Sequence, residues 1–402
     1  MSQNNRIFYA CQAVAITLEG DSALVAGDMV HGVQSFGTTT TFNLEQAFEF
    51  AQIEIYENIE GLPDIEVTME KVLDGYPLIY HMATTGVTGT ANSGLAARAA
   101  EKCDVRLGIF DERSNNVASA DSNGPLVAGG GDAEVEVYLS GMFVSSVSYT
   151  IPVDGNATES VTLVGNNKAW LTGNDVSITD AVVASFNGTD SPRAFGSAAA
   201  PSGGIQRRED VLLSGSIMPT SIRGVVGSGY GNALGPNGPR IHIQSFTCST
   251  DLAREDILEL GRKNPYYRPA TFPVEVTTEI EAITVSGDFI SAYELGDPAL
   301  YGTIDSGNNT QNESIFLLLR CGYGFDLGSK NRLASVTYGG GDAGGGNVSC
   351  TYSFSNYNVL DIQDYVNQGL VGFGGITLGG GFDGNGFANN VGAGAFPSTL
   401  LT

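Results

Sequence analysis

Apolar and polar residues alternate along several stretches of the chain. In the clearest stretch, VSCTYSF at 348–354, an apolar residue or cysteine occupies every second position and serine or threonine occupies most of the others. The same period of two runs through residues 65–70 and 133–139. Turn-forming Gly, Asn and Asp residues bound such stretches, which is typical of antiparallel strands that bury one face. The pattern predicts a mainly β fold.

One stretch in each half of the chain has a helical period instead. In the first half, apolar residues recur at i, i+3, i+4 and i+7, which predicts a helix with one apolar face; they are Leu44, Ala47, Phe48 and Ala51. In the second half, Asp251 is a candidate N-cap and Gly261 a candidate C′ residue. We therefore expect tandem β-sandwich or β-barrel domains, each with one short helix.

The sequence also contains an internal repeat. Residues 33–50, VQSFGTTTTFNLEQAFEF, match residues 243–260, IQSFTCSTDLAREDILEL, at six of eighteen positions. Random pairing at ~7% per position gives roughly one match. A repeat of this length indicates related structural units.

Two further blocks follow in the same order. PDIEVTMEK at 63–71 aligns with PVEVTTEIE at 273–281, with Glu-Val-Thr over Glu-Val-Thr, and VSYTIPV at 147–153 aligns with VSCTYSF at 348–354. The repeated motif selects these candidate structural residues: Gln34, Ser35, Phe36, Glu45, Glu49, Glu66, Val67, Thr68, Gln244, Ser245, Phe246, Glu255, Glu259, Glu275, Val276 and Thr277.

The blocks predict two copies of one domain of roughly 200 residues. We assign the first copy to residues 1–205 and the second to residues 206–402. The first copy ends in a segment rich in Ser, Ala, Gly and Pro at 191–204, which is typical of a linker.

Composition excludes several classes of protein. The 402 residues include 54 Gly, and 19 Lys+Arg against 44 Asp+Glu give a net charge of −25. A chain so poor in Lys and Arg is not expected to grip nucleic acid, because phosphate binding depends on those residues. A hydrophobic fraction of 42% argues against a disordered acidic chain.

Nothing in the sequence indicates catalysis. The three histidines, His31, His81 and His242, are far apart, and no glycine cluster is followed by the GK[ST] of a phosphate-binding loop. We therefore assign no catalytic, cofactor-binding or metal-binding residue, and we expect a protein that is not an enzyme.

The ends and cysteines of the chain bear on its location. The N-terminus lacks the pattern of a secretory signal, and no apolar stretch approaches the ~20 residues of a membrane span, so we expect no membrane insertion. Five dispersed cysteines without a CxxC pair favour buried free thiols in a reducing compartment over a disulfide framework; they are Cys11, Cys103, Cys248, Cys321 and Cys350.

A succession of features resembles a known family. A strand with QSF is followed by an acidic turn (NLEQAFEF; REDILELGR), a loop with tyrosines (IYENIEGLP; NPYYRPATFP) and an EVT strand. This succession resembles the tail-tube, or major tail, proteins of long-tailed bacteriophages. The resemblance covers about 45 residues in each half, near 30–75 and 240–285, with weaker agreement elsewhere.

The resemblance implies an assembly. In that family, six β domains with a flanking helix and a long hairpin form a ring, and stacked rings conduct DNA to the host. Three two-domain chains would build the same ring, which implies a homotrimer with pseudo-sixfold symmetry. It further implies contacts with terminator and baseplate proteins, and with a sheath if there is one. The implied location is the virion tail, after synthesis in the host cytoplasm.

Two features fit this expectation. Carboxylates in the lumen would repel DNA phosphates and let DNA pass without adhering, although solubility also explains an acidic chain. The Gly-rich segment 366–402 is a candidate assembly arm, with an exposed tail as the alternative; its anchors would be Phe373, Phe382, Phe387 and Phe396.

Other readings stay open at this point. A capsid, neck or baseplate component would share β-rich subunits that bury their surfaces by self-assembly. A tandem β-sandwich adhesin or carbohydrate-binding module is the alternative from another class, although the single tryptophan, Trp170, is not part of an aromatic cluster in the sequence.

Overall fold

A computed structural model gives the fold of this chain. It describes residues 7, 11–21, 23–51, 53–85, 94–110, 132–179, 182, 205–208, 211–212, 219, 222, 242–283, 290, 312–319, 323–341 and 346–364. The proposed linker and the C-terminal arm lie outside these residues.

The described residues form mainly strands, which confirms the predicted fold class. The strands are β1 (Gln12–Leu18), β2 (Val33–Thr41), β3 (Leu44–Phe48), β4 (Ile55–Glu60), β5 (Asp64–Val72), β6 (Cys103–Ile109), β7 (Val135–Pro152), β8 (Thr158–Gly165), β9 (Asn167–Thr172), β10 (Val211–Leu212), β11 (His242–Asp251), β12 (Glu275–Ile283), β13 (Phe316–Leu319), β14 (Tyr323–Asp326), β15 (Arg332–Gly340), β16 (Val348–Tyr357) and β17 (Asp361–Asp364). The helices are α1 (Ile79–Thr84) and α2 (Leu95–Arg98), and single 3-10 turns lie at Ala26–Asp28 and Gly173–Asp175.

A long antiparallel sheet runs through both halves of the chain. Its strand order is β15-β16-β12-β11-β7-β8-β5-β2, and every neighbouring pair is antiparallel. One face of this path carries the alternating apolar residues predicted from the sequence, and these are buried. The second half therefore continues the sheet of the first, with β11 next to β7.

Smaller sheets cover the buried face. The first half of β7 also pairs with β6 and β9, and β6 pairs with β1, which gives the order β1-β6-β7-β9. In the second half, four strands have the order β10-β13-β14-β17. The remaining pair, β3 with β4, is a separate hairpin.

The two halves have corresponding strand orders. The central sheet consists of β2-β5-β8-β7 from the first half and β11-β12-β16-β15 from the second. In the smaller sheets, the order β1-β6-β7-β9 of the first half corresponds to β10-β13-β14-β17 of the second. A single long strand, β7, serves both sheets of the first half. Its counterpart in the second half is divided into β14 and β15.

The ladders are also irregular at corresponding places. The β2–β5 ladder shifts at Gln34 and the β11–β12 ladder shifts at Gln244. The β7–β8 ladder shifts at Ser145 and the β15–β16 ladder shifts at Ala334. Because a bulge inserts a residue at a defined position, these pairs fix which residues of the two halves correspond.

This correspondence differs from two alignments made on the sequence. In the ladders, Ser35 faces Glu70 and Ser245 faces Glu281, so Glu70 corresponds to Glu281, two residues away from its sequence match. A shift of two preserves the face of each side chain, so the sequence pattern does not detect it. The third block is also misaligned, since 147–152 lies in β7 and 348–354 lies in β16, whose counterpart is β8.

The predicted helices are wrong in both halves. Leu44, Ala47 and Phe48 lie in β3, which pairs with β4, and residues 251–261 form the end of β11 followed by isolated bridges. An amphipathic helix is stabilised by packing its apolar face on a core, and β3 does not lie on the core of its own chain. Pairing with β4 satisfies the backbone instead.

The longer of the two helices in the first half is α1. It lies against β1, β6, β7 and β8 of the first half, and it also reaches the second half, where the carbonyl of Ile362 lies 2.8 Å from His81 Nε2. Among the described residues, no helix is long and apolar enough to cross a membrane.

Candidate functional site

The most distinctive surface is the open face of the central sheet, which we call the polar face. The ladder registers bring hydroxyl side chains and carboxylates to this face on all eight strands, while their neighbours in sequence point into the core. Its carboxylates are Asp64, Glu66, Glu70, Asp251, Glu275, Glu279 and Glu281.

One row illustrates the continuity of the polar face. It runs from β2 to β15 through Ser35, Glu70, Ser160, Ser148, Ser249, Thr277, Ser355 and Arg332. Short hydroxyl side chains dominate the row, and no break occurs where β11 meets β7. The two halves thus present one continuous surface.

Positive charge is scarce on the polar face. Within the described part of these eight strands, Arg332 at the start of β15 is the one lysine or arginine on it. At its junction with the loop that follows β11, Arg268 forms an ion pair with Asp256 and lies 3.9 Å from Asp64. Elsewhere the carboxylates leave the face negative.

The motif residues found in the sequence lie in four places. Ser35, Glu66, Thr68, Ser245, Glu275 and Thr277 lie on the polar face, and Phe36, Val67, Phe246 and Val276 lie on the core side. Gln34 and Gln244 are at the bulges. Glu45, Glu49, Glu255 and Glu259 lie beyond the sheet, in the segments after β2 and β11.

Sequence reasoning missed most carboxylates of this face. Glu279 and Glu281 follow Glu275 on the same side of β12, since residues two apart share a face. The alternation was readable in EVTTEIEAI, but which face stays open depends on the covering sheets. Residues 373–396, with the proposed anchor phenylalanines, lie outside the described residues.

The central sheet ends at two strand edges. In the part of the chain that the structure describes, no strand pairs with the outer side of β2 or of β15. Both strands have nine residues, and both leave most of their side chains exposed or half-buried. Unpaired edges of this length are templates for pairing with another chain.

The internal boundary between β11 and β7 shows how the side chains of such an edge are buried once a second strand pairs with it. There Cys248 faces Tyr149, and both side chains are fully buried. The corresponding edge residues are Thr38 on β2, which is exposed, and Tyr338 on β15, which is 56% exposed. The edge strands β2 and β15 therefore carry residues that correspond to those of a paired boundary, but no strand pairs with them in the described ranges.

The internal boundary is fastened by Arg254. Its guanidinium donates to the carbonyl of Val144 through Nε (2.9 Å) and Nη2 (2.6 Å), and through Nη1 to Ala99 (2.6 Å) and Arg268 (3.1 Å). The guanidinium also lies 4.9 Å from the centre of the Phe143 ring. Burial lowers the pKa of Arg254 to about 10, which leaves it charged at neutral pH.

A buried carboxyl group positions α1. The Glu159 carboxylate accepts hydrogen bonds from the amides of Ile79 (2.7 Å) and Tyr80 (3.1 Å) and from the hydroxyl of Tyr149 (2.9 Å). Lys71 is directly opposite in the ladder. Burial raises the pKa of Glu159, while the charge of Lys71 and the three hydrogen bonds act in the opposite direction.

Reactive or metal-binding chemistry is not evident in the described residues. They hold no group of three or more His, Cys, Asp or Glu side chains arranged for a metal ion. Cys103 and Cys248 carry free thiols and are buried, as are Cys11 and Cys350, and burial raises the pKa of Cys248 to about 12. These thiols are packing groups.

Comparisons with known proteins gave structural likenesses alone. No protein-family model and no curated protein matches the chain. Among solved structures, the chain is similar to the tube-terminating cap of the anti-feeding prophage, with 13% identity over 43% of this chain and 95% of that one, at a TM-score of 0.29.

Two further solved structures are similar. One is the sheath-tube complex, in the extended state, of an extracellular contractile injection system (10% identity, 42% of this chain and 95% of that one, TM-score 0.27). The other is the baseplate of the anti-feeding prophage (9% identity, 42% and 98%, TM-score 0.28).

Proposed function

We propose that this chain is a structural subunit of a phage-tail-like tube, and that its copies join edge to edge through β2 and β15. The observation that supports this is the internal boundary, where the edge strand β11 of one four-stranded unit pairs with β7 of the next. The same step, repeated between copies, pairs β2 with β15 and leaves no edge free when the ring closes.

The internal boundary supplies the register of that pairing. Ser245 faces Pro152 and Asp251 faces Ser146 across it. The bulges relate β2 to β11 and β15 to the second half of β7, so the same register can be applied between two copies. It then places Ser35 opposite Gly341 of the neighbouring copy and Thr41 opposite Ser335. Thr38 then faces Tyr338, and both gain the cover that Cys248 and Tyr149 already have.

The matching strand orders support a duplicated domain. In this proposal residues 1–205 and 206–402 are diverged copies of one unit, so a ring of six units needs three chains. The two boundaries of each unit are then similar but not identical, because one lies within a chain and the other between chains. We propose a homotrimer with pseudo-sixfold symmetry on this basis.

The polar face is the proposed lumen. It is continuous over both units, it carries seven carboxylates and many hydroxyl groups, and the other face of the sheet is already buried. Carboxylates repel the phosphates of DNA over a distance of about 8–10 Å at ordinary salt. DNA would slide past this wall without binding to it.

The subunit would act in a tail, in contact with its own copies and with terminator, baseplate and sheath proteins, and without enzymatic activity or a cofactor. A capsid, neck or baseplate subunit is the nearest alternative, and an adhesin is a more distant one.

Electron microscopy and mass measurement of the purified protein test this proposal. We expect rings or stacked tubes, with three chains per ring by native mass spectrometry or scanning transmission microscopy. Six chains per ring would overturn the trimer. Protein that stays monomeric at high concentration and low salt would overturn the tube, and glycan binding by such monomers would favour the adhesin.

A further inference from the structure

We infer that the hairpin of β3 and β4 docks on a neighbouring copy of the chain, beside the start of β15. The inference rests on the proposed edge pairing of β2 with β15, and it adds a second contact to that junction. The hairpin, defined here as residues 42–61, is the most exposed apolar segment among the described residues.

The exposure of the hairpin is extreme for its composition. Every described residue of β4 is exposed, and so are four of the five residues of β3. Its exposed large hydrophobic residues are Phe42, Leu44, Phe48, Phe50, Ile53, Ile55, Tyr56 and Ile59, with Phe50 and Ile53 fully exposed. The ladder register places these side chains on both faces of the hairpin, with Leu44 opposite Glu60 and Ile59 opposite Glu45. So many exposed large apolar side chains in one segment of a folded chain mark an interaction site.

The second half contains the counterpart of this hairpin, and the start of that counterpart is docked on the first half, while Leu258 and Leu260 farther along it stay exposed. The segment 252–272 follows β11 as the hairpin follows β2, and it crosses the internal boundary to contact the first half. The amide of Leu252 donates to the carbonyl of Ser145 (2.7 Å), and Arg254 donates to Val144 and Ala99. The start of segment 252–272 is therefore hydrogen-bonded to the bulge of β7.

The hairpin begins with a residue that lacks this cover. Leu252 is fully buried, whereas the corresponding residue, Phe42, is 70% exposed. The counterpart of the β7 bulge is Ala334 on β15, which lies at a sheet edge. If β2 pairs with β15 of a neighbouring copy, Phe42 meets that bulge and the rest of the hairpin extends over the second half of the neighbour.

Charge at the two surfaces is complementary. The hairpin contains five glutamates, Glu45, Glu49, Glu54, Glu57 and Glu60, and no Lys, Arg or His. The docking position on β15 is flanked by Lys330 and Arg332, which are both exposed, and Arg332 Nε donates to Asn312 (3.2 Å). Opposite charges steer such surfaces together and reject wrong pairings.

The same charges distinguish the hairpin from segment 252–272. That segment carries four basic residues, Arg254, Arg262, Lys263 and Arg268, and its anchor Arg254 corresponds to Leu44 in the hairpin. The hairpin thus cannot reproduce the guanidinium fork of the internal boundary. The acidic and apolar surface of the hairpin is complementary to the basic residues at the start of β15. The boundary between copies therefore differs in its charges from the boundary within a copy, which depends on Arg254.

Charge reversal with rescue tests the docking. The first variant is Lys330→Glu with Arg332→Glu, the second is Glu45→Lys with Glu60→Lys, and the third combines all four changes. The first variant is compared with Arg207→Glu with Arg208→Glu, and the second with Asp21→Lys with Glu101→Lys, which make equal changes of net charge at exposed positions outside the hairpin and segment 252–272. The measurement is the protein concentration needed for ring formation, by sedimentation velocity at low salt, with rings verified by microscopy.

We expect the first two variants to need about tenfold more protein than wild type, and the combined variant to return to within about threefold. The controls should resemble wild type, and all variants should melt as wild type does because the changed residues are exposed. Rings that form equally well in the first two variants, or a combined variant without recovery, would overturn the docking and leave the edge pairing intact. A wild type that forms no rings would overturn both.

Discussion

The hydroxyl of Tyr149 donates a 2.9 Å hydrogen bond to the carboxylate of Glu159, its direct partner across the β7–β8 hairpin. Both side chains are fully buried, and the other acceptor positions of the carboxylate are filled by the first amides of α1. The pair therefore connects the central sheet to α1, which also reaches the second half through His81.

Glu159→Gln tests this connection. Glutamine retains one acceptor oxygen, but its amide nitrogen would meet a backbone N–H that needs an acceptor. We expect a loss of about 1–3 kcal/mol in the free energy of unfolding. Urea denaturation followed by circular dichroism measures it. The control is Glu101→Gln, which makes the same chemical change at an exposed position and should unfold as wild type does.

The same variant has a predicted pH dependence. Burial raises the pKa of Glu159 above its ordinary 4.5, so the folded chain binds this proton more tightly than the unfolded chain. The contribution of this protonation to the stability of the fold is complete at a pH below the ordinary pKa of glutamate. It is lost as the pH rises through the pKa of Glu159 in the folded chain. The difference in the free energy of unfolding between wild type and Glu159→Gln should become smaller as the pH increases from about 4 to about 8. A difference in this free energy that grows with pH would contradict the prediction.

Proline substitutions on β2 separate edge pairing from folding. The Leu252 amide faces β7, so by alternation the even-numbered amides of β11 face β7, and the matching amide of Thr38 on β2 faces the free edge. Thr38→Pro should prevent assembly with a change in melting temperature of a few degrees at most. Thr39→Pro should instead break the β2–β5 ladder and destabilise the chain, and assembly by Thr38→Pro would count against the proposed edge.

Lysines on the polar face test its role toward DNA. We expect rings with Glu66→Lys, Glu279→Lys and Glu281→Lys to retain DNA at least about tenfold more tightly than wild type at low salt, and to lose it as salt rises. Fluorescence anisotropy with labelled duplex measures this. The matched control carries Asp21→Lys, Glu101→Lys and Asp175→Lys, which are exposed away from the polar face; equal binding by both sets would exclude the face as the lumen.

Removing the fork of Arg254 should loosen the internal boundary. Arg254→Ala leaves the Val144 and Ala99 carbonyls without their donor, and we expect a loss of about 2–4 kcal/mol in the free energy of unfolding. Arg254→Lys should recover little of it, since an ammonium group cannot reproduce the planar fork. Exposed Arg262→Ala is the control, and equal melting of Arg254→Ala and this control would refute the assignment.

The alternation of VSCTYSF and of the EVT strands predicted the strands and their faces, because burial on one side of a sheet constrains every second residue. The helix predicted at Leu44–Ala51 failed for a physical reason. Its spacing requires a core to pack on, and the surface beside β3 belongs to no part of the same chain that the structure describes.

The site was predictable in part. The sequence identified the repeat and the acidic charge, and the duplication stays a proposal supported by the matching bulges at Gln34 and Gln244. It did not indicate that β11 joins β7, since this contact depends on packing between strands that are distant in the sequence. The free edges and the open polar face follow from that one contact.

The directions of β2 and β11 have a consequence for growth. Four antiparallel steps separate the two strands, so they run parallel, and the segments after them leave the same end of the sheet. A ring built by repeating the β11–β7 type of pairing between copies has two rims with different structures. A stack of such rings therefore has two different ends. Such a filament can be started by one kind of protein and stopped by another.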